Sequence, residues 1–108
     1  MAREATVDEL AAAWDGGGLV IDVREPDEYA AGHVPGARLM PLRTVPAGCD
    51  ELPVGCPVFV ICASGNRSRS AADWMTARGI DAYSVAGGTA AWARGGRPIS
   101  VGPAERAA

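Results

Sequence analysis

Short unbroken apolar runs alternate with mixed polar segments along this chain, and each kind of segment predicts its own element. Leu19-Val20-Ile21-Asp22-Val23, the run from Pro57 to Cys62, and Ala82-Tyr83-Ser84-Val85 have the length and residue types of buried strands. Helical signals fall between them. Thr6-Val7-Asp8-Glu9 is a capping box that opens a helix through Leu10, Ala13 and Trp14, stopped by Gly16-Gly17-Gly18. Pro26 fits a first helical position, so Asp27 to Ala31 forms a short helix ended by Gly32. A helix from about Arg67 to Arg78 closes at Gly79, and Thr89 caps a last helix that runs through Trp92 to Gly95-Gly96. Trp74, Met75 and Trp92 occupy helical positions expected to face the core.

The remaining segments read as connections. His33-Val34-Pro35-Gly36-Ala37 is a turn into a brief extended piece, Arg38 to Leu42. Thr44 to Gly55, rich in Pro and Gly, is expected to be a surface loop with one helical turn. The chain is read as one domain over 1–108, its core at about 6–98 and its end, 99–108, a frayed tail.

Strands alternating with helices imply an α/β fold, a mostly parallel sheet covered on both faces. Crossovers in such sheets are right-handed, and sites collect at the carboxyl ends of the strands. Polar or flexible residues end three strands here: Asp22 with Arg24, then Cys62, then Ala86-Gly87-Gly88. The topology brings all three to one edge.

Composition narrows the function. The chain has 108 residues, is 48% apolar and 21% charged, and carries a net charge of −3, which argues against a nucleic-acid partner. No apolar stretch approaches the ~20 residues of a membrane span. The first residues show no apolar signal core, so the expected location is cytoplasmic. All ten basic residues are arginine, which excludes lysine chemistry. The three cysteines, Cys49, Cys56 and Cys62, include no C-x-x-C pair, and their number does not suggest a disulfide framework. With His33 they match no common zinc spacing, so no metal site is expected.

The chemistry concentrates after the strand that ends at Cys62. A short polar loop, Ala63-Ser64-Gly65-Asn66-Arg67, leads directly into a helix. Backbone N–H groups curling toward one point form an anion-binding nest, and the helix N-terminus reinforces it. Gly65 permits a backbone angle that a side chain would block, and Ser68 and Ser70 can cap the helix or donate to the loop. A thiol held there ionises readily and acts as a nucleophile.

Four segments together resemble the single-domain rhodanese family of sulfurtransferases. They are Val20-Ile21-Asp22-Val23-Arg24-Glu25, Tyr29 to Ala37, Cys62 to Arg67, and Val85-Ala86-Gly87-Gly88-Thr89-Ala90-Ala91-Trp92. The resemblance implies a rhodanese-like three-layer α/β/α fold with a central five-stranded, mostly parallel sheet. It also implies transfer of a sulfane sulfur from thiosulfate or a similar donor, through a Cys62 persulfide, to cyanide, a thiol or a protein acceptor. Cys62 is the expected catalytic residue. Ala63, Ser64, Gly65, Asn66, Arg67 and Ser68 form the substrate-binding loop, with Arg67 orienting the anionic donor. Asp22, Arg24 and Arg69 are supporting candidates. No metal or organic cofactor is implied. Phosphatases that share this fold have a loop one residue longer, C-x-x-x-x-x-R, roomy enough for a tetrahedral phosphate, whereas Cys62 to Arg67 is C-x-x-x-x-R.

Blander roles stand beside these. A cysteine ending a strand often serves only as a small core residue, and the loop that follows is what argues otherwise. Asp22 is expected to fix loops through hydrogen bonds, with Arg24 either paired to it or lining the entrance. Arg69 can equally face solvent. His33 is expected to be a structural hydrogen-bonder, and Cys49 and Cys56 inert. The alternatives to an enzyme with turnover are a persulfide carrier or interaction module serving a protein partner, and a cysteine phosphatase or arsenate reductase.

Overall fold

The computed structural model describes residues 3–104. Five strands form one wholly parallel sheet in the order β1-β5-β4-β2-β3. They are β1 (Arg3–Ala5), β2 (Leu19–Asp22), β3 (Arg38–Leu39), β4 (Pro57–Ile61) and β5 (Asp81–Val85). Helices α1 (Val7–Asp15), α2 (Pro26–Ala31), α3 (Val45–Gly48), α4 (Asn66–Ala77) and α5 (Gly88–Arg94) fill the connections. The capping box at Thr6 forms as read: Glu9 N–H donates to Thr6 Oγ1 at 3.1 Å, and Thr6 N–H to Glu9 Oε1 at 2.9 Å.

Side chains alternate across a strand, so each strand feeds two cores. Val58, Val60 and Cys62 face one side with Ile21 and Val23, against Ala71, Ala72 and Met75 of α4 and Val45 of α3. Phe59 and Ile61 face the other with Val20 and Val85, against Leu10 of α1, Tyr29 of α2 and Trp92 of α5. Helices thus cover both faces, giving the expected three layers. The buried runs of β2 and β4 are continuous because neither face meets water. Among the described residues, no helix is long and apolar enough to cross a membrane.

Several expectations are corrected. Arg3–Ala5 is a strand, held by pairing with β5 at the sheet edge. The segment expected to be a surface loop is a succession of short turns of helix, from Leu42–Thr44 through α3 to Cys49–Glu51. It buries Val45, Cys49 and Leu52, because the sheet face beyond α4 needs a cover. Trp74 is not in the core. It is 40% exposed, with the Arg78 guanidinium 3.9 Å above its ring. Gly87, and not Thr89, occupies the cap position of α5. The described part of the expected frayed tail is docked: His33 and Ser100 exchange backbone hydrogen bonds at 2.9 Å, and Gly102 N–H reaches Ala30 O at 2.8 Å. Residues 105–108 of that tail lie outside the described residues.

The strand order decides where a site can form. From β2 the chain moves outward to β3, then crosses back over β2 to β4, so the loops after β2 and β4 leave toward opposite faces. Such a reversal of strand order marks the usual place for a site, at the carboxyl ends of the strands. Asp22 and Ile61 are register partners there.

Candidate active site

Cys62 immediately follows β4, the central strand, and its alternation places the sulfur on the α4 side of the sheet. The chain then folds tightly around that sulfur. Gly65 adopts φ +114°, a left-handed conformation that suits glycine, and this turns its N–H onto Cys62 Sγ at 3.1 Å. α4 starts at the next residue. Ser68, in its first turn, is fully buried with Oγ 3.5 Å from Sγ.

Two opposing effects set the thiol's acidity. Burial pushes the Cys62 pKa up by penalising the thiolate. The Ser68 hydroxyl, together with the N–H groups of Ser68, Gly65 and Ser64, pulls it down, and these donors win. The thiol therefore sits below its ordinary value, as a nucleophile requires.

The loop is held in this shape from behind. At the start of α5, Thr89 N–H donates to Cys62 O at 2.8 Å and Ala90 N–H to Ala63 O at 3.2 Å. Thr89 Oγ1 adds a second bond to Cys62 O at 3.1 Å. With its carbonyls drawn outward, the loop keeps its N–H groups for the inside. Beneath it, Ser84 of β5 places a buried hydroxyl 2.8 Å from Ser68 Oγ. Ser68 Oγ also lies 3.1 Å from Gly65 O, so its proton has an acceptor whether or not the sulfur is charged.

The other expected residues are distributed as follows. Asp22 is fully buried and grips Arg24: Arg24 Nη2 lies 2.8 Å from Asp22 Oδ2, and the Arg24 N–H is 3.0 Å from Oδ1. Arg24 Nη2 also donates to Gly32 O at 2.8 Å, so the pair ties β2 to the end of α2. Arg67 is engaged by a carboxylate from outside the loop. Its guanidinium forms a two-point pair with Glu28 of α2, at 2.7 and 2.9 Å. That contact holds the Glu28 carboxyl down at about 2 and raises Arg67 further above its already high value. Arg69 points to the sheet edge and pairs with Glu4 at 3.2 Å. Asn66, Ser64 and Ser70 are exposed, and Ala63 is half-buried.

His33 stacks on Tyr29 with ring centres 3.6 Å apart, and its Nδ1 lies 2.7 Å from Tyr29 O. Cys49 is buried in the core and Cys56 is exposed. Among the described residues, no three His, Cys, Asp or Glu side chains gather as a metal would need. A groove of about 620 Å³ beside Tyr29, His33, Arg38, Leu39 and Val101 includes no residue of the Cys62 loop. The Cys62 loop instead brings a thiol and aimed N–H and O–H donors together.

Sequence reasoning missed Glu28, Ser84 and the clamp by Thr89 and Ala90. Ser84 carried a signal, a hydroxyl in a strand otherwise reading as core. Glu28 carried none beyond its place in the first turn of α2.

A tight loop folded around a buried cysteine, at the switch point of a parallel sheet, defines a cysteine-loop α/β protein. Within that class, residues 6–94 match the rhodanese-like domain, and the chain belongs to that family. It is 39% identical over 77 residues to thiosulfate sulfurtransferase GlpE of Pseudomonas putida, covering 70% of each chain. A rhodanese-related protein from Thermoplasma volcanium superposes with a TM-score of 0.86 at 28% identity, over 92% of this chain and 98% of that one. A rhodanese-like domain protein from Staphylococcus aureus does so with a TM-score of 0.81 at 31% identity, over 92% and 97%.

Proposed function

We propose that this protein is a sulfurtransferase that carries a sulfane sulfur as a persulfide on Cys62. The observation that carries this reading is the set of donors converging on Cys62 Sγ, strong enough to lower its pKa despite burial. The thiolate attacks the outer sulfur of a donor. With thiosulfate, the S–S bond breaks toward sulfite, leaving Cys62–S–S⁻. Cyanide or a thiolate then attacks the terminal sulfur and restores the Cys62 thiolate. In both states the excess charge is negative and lies beside the loop's N–H groups, so one arrangement serves both half-reactions. The scheme calls on no metal or cofactor. Similarity to a thiosulfate sulfurtransferase makes thiosulfate the first donor to test, and the free cysteines suit a reducing cytoplasm.

Intact-protein mass spectrometry after incubation with a sulfane donor tests the reading. Wild type should gain one sulfur atom and release thiocyanate when cyanide is added, while Cys62→Ser should gain none. Sulfur uptake by Cys62→Ser would refute the assignment. Uptake by wild type without turnover on small acceptors would identify a carrier for a protein partner.

A further inference from the structure

We infer that Ser84 is a positioning residue: its buried hydroxyl aims the Ser68 proton at Cys62 Sγ and thereby eases the departure of sulfur from Cys62 more than its arrival. The inference rests on the sulfurtransferase reading and assigns the hydroxyls of the site to its second half-reaction. Ser84 lies two positions after Ala82 on β5, so its side chain enters the same α4-side core as Cys62. An apolar residue would serve packing there. A hydroxyl in that place needs a hydrogen-bond partner, since it meets no water.

Matching protons to acceptors fixes the direction of the bond between Ser84 and Ser68. Among the described residues, Ser68 Oγ, 2.8 Å away, is the one hydrogen-bond partner of the Ser84 hydroxyl. Ser68 Oγ has two further neighbours, Cys62 Sγ at 3.5 Å and Gly65 O at 3.1 Å. Were Ser68 to donate to Ser84, the Ser84 proton would be buried with no acceptor. With Ser84 donating, both protons are satisfied, and the Ser68 proton is confined to Sγ or Gly65 O. Donation by Ser84 also polarises the Ser68 O–H and strengthens the bond that Ser68 gives.

The two states of the reaction use that proton differently. In the empty protein the charge is on Sγ, and Ser68 donates to it. After loading, the charge sits on the outer sulfur, Sγ is a neutral and weak acceptor, and the Ser68 proton turns to Gly65 O. The hydroxyl pair therefore stabilises the thiolate more than the persulfide. When an acceptor attacks the outer sulfur, the S–S bond breaks and its electron pair returns to Sγ, where the Ser68 proton meets the growing charge. During loading the same hydrogen bond weakens, as Sγ gives its electron pair to the donor sulfur.

The test measures sulfur exchange between thiosulfate and sulfite in wild type, Ser84→Ala, Ser68→Ala and the double variant, at a pH where Cys62 is ionised in all four. Intact mass gives the loaded fraction at each thiosulfate-to-sulfite ratio, and rapid mixing gives the rates of loading and of unloading to cyanide. Ser68→Ala should shift the equilibrium toward the persulfide about tenfold, and Ser84→Ala about threefold. In Ser84→Ala loading should speed up and unloading slow down, each about twofold, because a less stabilised thiolate is a better nucleophile and a poorer leaving group. Ser84→Ala should add nothing once Ser68 is alanine, since Ser84 acts through it. Each readout refers to the protein that loads, so a loss of folded protein does not enter. An equilibrium unmoved by Ser84→Ala, half-reactions slowed equally, or an undiminished effect of Ser84→Ala in the double variant overturns the inference. Failure of wild type to load sulfur from thiosulfate or from polysulfide overturns the sulfurtransferase reading itself, and the inference with it.

Discussion

Gly88 and Cys62 lie in backbone contact: a Cβ on Gly88 would stand 2.4 Å from the Cys62 carbonyl oxygen. The same atom would lie 2.6 Å from Ala63 O. No flexible side-chain end can yield there, and Gly88 also has φ +57°, a conformation costly to other residues. Gly88→Ala should therefore push α5 off the loop, break the bonds from Thr89 and Ala90, and destabilise the protein by about 2–4 kcal/mol. Thermal unfolding, with alkylation of Cys62 as the local probe, reads both effects. A variant with wild-type Tm and Cys62 reactivity would refute the clamp.

The hydroxyl pair under the sulfur predicts a pH effect. The Cys62 pKa is lowered, so its alkylation rate should reach a plateau at a lower pH than a free thiol's does. Ser68→Ala removes a donor to the thiolate, so its profile should move to higher pH, with the rate at pH 7 falling about tenfold. Ser84→Ala leaves Ser68 in place but removes its buried partner, 2.8 Å away, and should shift the profile the same way by less. Profiles that coincide for all three proteins would show that the hydroxyls only fill space.

The pair between Arg67 and Glu28 predicts a stability window. The folded Glu28 pKa, about 2, lies below its ordinary 4.5, so the pair stabilises the fold fully above about pH 4.5. The contribution fades as pH falls and is gone below about 2. Because both side chains are about one-third exposed, solvent screening limits it to about 1 kcal/mol. Urea unfolding of wild type and Glu28→Gln should differ by that amount at pH 6 and converge near pH 2. A gap independent of pH would contradict the ion pair.

Trp92 and Trp74 should respond to truncation by very different amounts. Trp92 is fully buried and its Nε1 donates to Pro98 O at 2.7 Å, so Trp92→Ala should cost about 3–5 kcal/mol. Trp74 touches mainly Arg78 and solvent, and Trp74→Ala should cost about 1 kcal/mol or less. Denaturant midpoints measure both, and equal losses would place Trp74 back in the core.

The residues alone carried the order of β2, β4 and β5 with α1, α2, α4 and α5 before, between and after them, the capping box at Thr6, and the cysteine that ends β4. Those features rest on local physics: the Thr6–Glu9 box spans three residues, apolar runs set β2 and β4, and Cys62 and Gly65 shape a single turn. Features that depend on distant partners took shape only through tertiary contacts. Arg3–Ala5 has no apolar pattern of its own and becomes a strand because β5 leaves an edge to pair with. The turns around α3 take helical form while covering a sheet face that their own sequence does not announce. Trp74 and Met75 are adjacent on α4, and the way the helix sits on the sheet turns Met75 inward and leaves Trp74 at the rim. Arg67 lies 39 positions from Glu28, and no local pattern links them. The crossover from β3 to β4 brings the two residues together.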